Sequence, residues 1–334
     1  VRPNLKNILS FTLSLSLGII ILYLVFQQQQ NVYEATCDIK TDPNGCSLVK
    51  KTMSEFSEAN WFFMLLAITF SLLSNVFRAL RWNLLTEPMG YPIRFFNAFG
   101  AILIGYFTSL AIPRIGEFMR AGVLAKYEKM PSEKAFGTVI LERVVDVIIF
   151  AIVGLLVFLV AYKDISSYLI AVFQKYTDKS WESLFSLTNI LLLLGAVVLG
   201  IFIILYFRKA ILRSKFGHKV ATFFNGLLEG LTSISKLQKR SLFVIYSFSI
   251  WVCYFLMVYV AFFAYEPTAH LGFKPALAVL LFGSLGMFIP SPAGMGSFQW
   301  LVSQSLNIYG VASVNGFTYG NLHFFAVAIC STIV

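Results

Sequence analysis

Charge is what this sequence has least of. Only 13% of its 334 residues are Asp, Glu, Lys or Arg, about half the share that keeps a soluble domain of this size in solution. Histidine is nearly as scarce, with three scattered copies, so no metal-ligand spacing forms and no metal or other cofactor is expected. Strands that alternate apolar and polar residues are also missing, which excludes a transmembrane barrel. No stretch is polar and long enough to be read as a soluble domain.

What is present is apolar length. Hydrophobic residues make up 58% of the chain, and its mean hydropathy is +0.77. Apolar runs occupy 8–26, 61–80, 95–112, 137–161, 186–207, 241–264, 276–290 and 317–334. About 20 apolar residues cross a ~30 Å hydrocarbon core as a helix, and inside lipid only a helix satisfies its own backbone. The first run is too long for a signal peptide and lacks a small-residue cleavage site. Starting at Val1 and stopping inside an apolar run, the chain reads as trimmed. The expected fold is an all-α polytopic membrane protein.

Net charge is +10, and its location bears on orientation. Segment 208–240 carries eight Lys or Arg against Glu229 alone, while Phe216, Val220, Phe223, Leu227, Leu231 and Ile234 recur at helical spacing. That is a basic amphipathic helix suited to an anionic inner leaflet, or else a solvated cytoplasmic linker. No nucleic-acid motif accompanies it. Cytoplasmic loops collect Lys and Arg. With the N-terminus inside, a full crossing by 95–112 puts the five basic residues of 113–135 and the eight of 208–240 outside. A hairpin that dips in and returns keeps both inside.

Two segments are built for such hairpins. Gly105 is followed by Pro113 and Gly116, and the run 276–290 ends in Pro290, Pro292, Gly294 and Gly296. Proline removes a helical hydrogen bond and glycine loosens the backbone. Both sites read apolar–Ile–Pro, a short spacer, Gly, then Phe. The expectation is about six spans plus two re-entrant hairpins in an inverted repeat, with eight full spans as the alternative. The chain then divides into 1–60 (a span and outer loop), 61–161 (span–hairpin–span), 162–240 (outer loop, span and basic helix) and 241–334 (the second, inverted span–hairpin–span). Paired Gly/Pro-broken segments point to a transporter site near the midplane.

Charge inside these runs costs about 2.5–3.5 kcal/mol per residue on insertion scales, so it has a task or a partner. Arg114, Glu117 and Arg120 fall three apart where the first hairpin turns, and Glu142, Arg143 and Asp146 open the next span. Forked guanidiniums with a carboxylate between them suit a phosphate head group. The second cluster can pair with the first, carry a coupling proton, or form a structural ion-pair network. Arg78, Arg81 and Trp82 read as a snorkelling interfacial end of the second span. His323 is a proton-relay candidate or a packed core histidine, and Gln299 and Gln304 are candidates to line the second hairpin's cavity. Cys37 and Cys46 bracket the turn-forming Asp42-Pro43-Asn44-Gly45 in the outer loop and are disulfide candidates.

These landmarks occur in a recognisable order: Arg78-x-x-Arg81-Trp82, then Gly105 through Pro113-Arg114-x-Gly116-Glu117-x-x-Arg120. Glu142-Arg143-x-x-Asp146 and Pro290-Ser291-Pro292-x-Gly294-x-Gly296 follow. In this order the chain resembles the flippase-like membrane proteins related to the transmembrane region of lysylphosphatidylglycerol synthase, from about Trp61 onward. The resemblance implies movement of a lipid across a bacterial cytoplasmic membrane. It does not imply aminoacyl transfer, which a separate soluble domain performs in those synthases. The expected substrate is an anionic or aminoacylated phospholipid or a polyprenyl-phosphate-type lipid, with a lipid-synthesis enzyme as a candidate partner. A membrane enzyme or a scaffold in lipid or glycolipid synthesis is the rival reading.

Overall fold

The structure is a computed structural model and describes residues 16, 20, 23–35, 37, 45–111, 115–176, 237, 239–289, 291 and 294–333. Every regular element among the described residues is helical. In chain order these are α1 (23–35), α2 (Leu48–Glu58), α3 (Trp61–Thr86), α4 (Phe95–Ala111), α5 (Ile115–Tyr127) and α6 (Ser132–Tyr176). Then follow α7 (Arg240–Phe262), α8 (Phe273–Phe288), α9 (Ser297–Asn307) and α10 (Ser313–Ile333). Tyr162–Lys236 forms a compact unit of its own. Within the described residues it holds only the end of α6, which leaves helical geometry at Ala161. The span expected at 186–207 and most of the basic segment 208–240 lie outside the described residues.

Trp61–Met89, Ser132–Asp164 and Arg240–Phe262 are long and apolar enough to cross a membrane, and Phe95–Leu110 and Phe273–Phe288 are shorter apolar helices. At 1.5 Å per residue, α4 is about 25 Å long and α5 about 20 Å, so neither reaches across a ~30 Å core. The order long, short, short, long over α3–α6 recurs over α7–α10.

Both short pairs close through missing side chains. A Cβ on Gly105 would lie 3.0 Å from the Gly116 carbonyl oxygen, and one on Gly116 would collide with the Gly105 carbonyl and the Ser109 hydroxyl. In the second pair a Cβ on Gly286 would sit 2.7 Å from Phe298 Cα, and Ser297 donates to the Gly286 carbonyl at 2.8 Å. Each approach joins residues eleven apart in sequence, Gly105 with Gly116 and Gly286 with Ser297. Gly294 and Gly296 turn the second hairpin at φ +77° and +83°, a region that side chains disfavour. Pro113, Pro290 and Pro292 lie outside the described residues. Small residues serve the same end on α10, where a Cβ on Gly316 would sit 2.9 Å from Ser303 Cα of α9. Between helices in lipid, such close approach replaces the hydrophobic effect as the source of attraction.

Segment 27–60, expected as an outer loop, is largely helical. α1 runs on to residue 35 and α2 fills 48–58. α2 carries Lys50, Lys51, Glu55 and Glu58, so its mean hydropathy hides it from a search for apolar runs. Gln30 fastens the two helices: its Nε2 donates to the Cys46 carbonyl and its Oε1 accepts from Leu48 N, both at 2.8 Å. Cys37 and Cys46 are joined as a disulfide across the turn. Leu48, Val25, Val314 and Phe317 bury together, and Gln29 donates to Ser313, so α1 and α2 rest on the start of α10.

Candidate functional site

α3 carries Ser71, Ser74, Asn75, Arg78 and Arg81 at three- and four-residue steps, which puts them on one face of an otherwise apolar helix. All five are buried. Arg78 and Arg81, expected to snorkel at an interface, are instead 3% and 0% exposed, and Trp82 is fully buried. The correction has a clear cause. Long side chains snorkel only when no partner is in reach, and here α5, α6 and α7 supply partners.

Arg81 reaches Asp146 Oδ1 at 2.8 Å, Ser247 Oγ at 3.3 Å and Glu142 Oε1 at 3.4 Å. Arg120 binds the other oxygen of Glu142 and lies 4.1 Å over the Trp82 ring. Trp82 in turn donates to Thr138 at 2.7 Å. Arg143 binds Glu117 and lies 3.6 Å from Asp146. Arg78 donates to the Tyr254 hydroxyl at 2.7 Å and stands 3.8 Å from Asp146. Three carboxylates and four guanidiniums thus join α3, α5, α6 and α7. Glu142 is fully buried and engaged on both oxygens, so it is a clasp between α3, α5 and α6 rather than a group open to a head group.

Above this network lies a cavity of about 450 Å³. Its polar wall is Asn75, Arg78, Tyr106, Arg143, Asp146 and Tyr254; the other wall, α8 with Phe298 and α10, is apolar apart from Ser284 and His323. That volume suits a single small-molecule-sized group. A smaller chamber of about 50 Å³ adjoins it, sharing Arg78, Tyr106, Ser109 and Arg143 and adding Glu117, Arg120 and the Gly105/Gly116 contact.

The candidates from sequence therefore divide. Arg143 and Asp146 line the cavity; Glu117 and Arg120 line the chamber; Glu142 lies behind them. Arg114 lies outside the described residues. His323 is buried at the cavity wall, stacked on Phe298 at 5.7 Å and facing Tyr319 at 6.0 Å. Gln299 does not line the cavity: its Oε1 accepts from Gly296 N at 2.8 Å and caps the start of α9. Among the described residues no cluster has the makings of a metal site. Sequence reasoning put Arg78 at an interface and did not single out Tyr106 or Tyr254. The polar stripe on α3 was the available signal.

A family profile described as the lysylphosphatidylglycerol synthase TM region matches residues 47–334. The chain belongs to that family. The match takes in both hairpins, the ion network and the cavity. Two relatives are described as UPF0104 membrane proteins. One, of Methanocaldococcus jannaschii, is 34% identical over 137 residues, 40% of this chain and 39% of the relative. The other, of Methanothermobacter thermautotrophicus, is 29% identical over 114 residues, 33% of this chain and 34% of the relative. The chain thus spans well under half the length of each. No solved structure matches it.

Proposed function

We propose that this membrane protein translocates lipids, passing a phosphate-bearing head group through the cavity between its two broken hairpins while the acyl chains stay in the bilayer. The observation that carries the proposal is the two-sided cavity. One wall is a guanidinium–carboxylate network held by α3, α6 and α7, and the facing wall is largely apolar and built from the second hairpin. A volume of about 450 Å³ holds a head group but not two acyl chains. Membership of a family named for a phospholipid synthase supports a lipid as the substrate. In this proposal the two long–short–short–long sets form an inverted repeat in a cytoplasmic membrane with the N-terminus inside, and rocking between them opens the cavity to each leaflet in turn. Segment 208–240 would hold the anionic inner leaflet.

Ser284 of α8 faces the cavity, and tryptophan there fills the passage from a helix that carries none of the network's charges. In proteoliposomes, Ser284→Trp is expected to reduce movement of a fluorescent head-group-labelled phospholipid to the protein-free background while the protein melts as the native chain does. Native-level movement through the plugged variant would place the path elsewhere.

A further inference from the structure

We infer that the chamber beside the cavity is a subsite for the phosphate of a lipid whose head group carries no fixed cation. This rests on the reading of the cavity as a lipid path and narrows it to a class of head group.

Two donors lack partners there. Arg78 and Arg120 are each 3% exposed, and the Nε of each is buried without a hydrogen-bond partner. One terminal nitrogen of each, Nη2, is already used, by Tyr254 for Arg78 and by Glu142 for Arg120. Both side chains line the same chamber, along with Arg143 and the hydroxyl-bearing Tyr106 and Ser109. Unmet guanidinium N–H groups in a buried site are costly until an anion accepts them, and a phosphate oxygen is a matched acceptor. About 50 Å³ admits a group of a few heavy atoms, so the phosphate enters the chamber and the rest of the head group stays in the larger cavity.

Charge balance sets the class. Among the described residues the network holds Arg78, Arg81, Arg120 and Arg143 against Glu117, Glu142 and Asp146, one positive charge in excess. A phosphodiester brings one negative charge and neutralises it. An added ammonium restores the excess and needs a carboxylate of its own. Each is committed to arginine: Glu142 is shared by Arg81 and Arg120, Glu117 is bound by Arg143, and Asp146 by Arg81. The two oxygens without a hydrogen bond, Glu117 Oε2 and Asp146 Oδ2, stand 3.9 Å from Arg120 and 3.8 and 3.6 Å from Arg78 and Arg143, so an ammonium would have to share them with a guanidinium. The rings of Trp251, Tyr254 and Phe150 in the cavity attract a cation, but through a quadrupole that falls off faster than the repulsion of a whole charge.

The test is binding to the purified full chain in uncharged detergent, read by calorimetry. The probes are dihexanoyl phosphatidylglycerol, its lysyl ester, dihexanoyl phosphatidylcholine and inorganic phosphate. The phosphatidylglycerol should bind at least about tenfold more tightly than any other probe. Arg143→Gln, on the most exposed guanidinium of the set, should erase that preference while the protein stays folded; Arg78→Gln should do so where it folds. Equal or tighter binding of the lysyl ester, or a preference that survives Arg143→Gln, overturns the subsite. So does the failure of every lipid to bind. Inorganic phosphate binding as well as the lipid overturns the lipid source and leaves a free oxyanion as the ligand. If the preference holds but proteoliposomes move no lipid, translocation falls and the subsite stands.

Discussion

Glu142→Gln should be among the most damaging single changes in this protein. The native carboxylate is fully buried and holds Arg81 Nε at 3.4 Å with one oxygen and Arg120 with the other. The amide keeps the shape but loses the charge, leaving two guanidiniums in a low-dielectric interior with a deficit of negative charge. Breaking a buried pair from one side costs about 3–5 kcal/mol, a large part of the roughly 5–15 kcal/mol that keeps a folded domain folded. The expected result is a melting temperature several degrees lower in detergent and a smaller monodisperse fraction. Because the cost lies in the stranded cations, Glu142→Gln/Arg120→Gln should recover part of the loss, a coupling that a double-mutant cycle reads directly. Native-like melting of the single variant would mean that the network is not held through the Glu142 carboxylate.

Gly116→Ala should be the second severe change, for a reason of space rather than charge. The added methyl has no room between the Gly105 carbonyl and the Ser109 hydroxyl, so α4 and α5 must separate. Overpacking of this kind costs about 1–3 kcal/mol. The separation also moves Tyr106, Ser109 and Arg120, which line the phosphate chamber. Gly122 on α5 provides the contrast, because a Cβ there meets nothing within 4 Å. Gly122→Ala should be neutral or raise stability by up to about 1 kcal/mol through the helical preference for alanine. Thermal melting and lipid movement of the two variants decide the point. If Gly116→Ala behaves like Gly122→Ala, the close hairpin contact does not exist in the membrane.

A common logic runs through both predictions. The site is assembled from parts that are individually unfavourable in lipid: seven charged side chains and helices too short to span. Each is stabilised only by the others. The short helices are pinned by glycine contacts, and the charges are pinned by pairing across α3, α5, α6 and α7.

The sequence by itself determined the helices and the breaks between them. Apolar runs at 61–80, 95–112, 241–264 and 276–290 became α3, α4, α7 and α8 with shifts of a few residues, because in lipid a backbone has no other way to satisfy its hydrogen bonds. Gly294 and Gly296 marked the second turn for an equally local reason, the φ values that a missing side chain allows, whereas Gly105 and Gly116 lie within α4 and α5 and serve the close approach of those two helices. The charges of α5 and α6 were legible too, since the insertion cost of Glu117, Arg120, Glu142, Arg143 and Asp146 makes each of them conspicuous. Only the tertiary structure decided which of them pair and which stay open. Spacing assigns a side chain to a face of its own helix but says nothing about the rotation of the helix beside it. Hence Glu142 turned to Arg81 and Arg120 and away from the cavity, while Arg78, read from sequence as an interfacial anchor, came to line it. α2 escaped notice for the converse reason. Its charged side chains break up any apolar run, and its helix is held by contacts with Gln30, Val25 and Phe317 that no local pattern records.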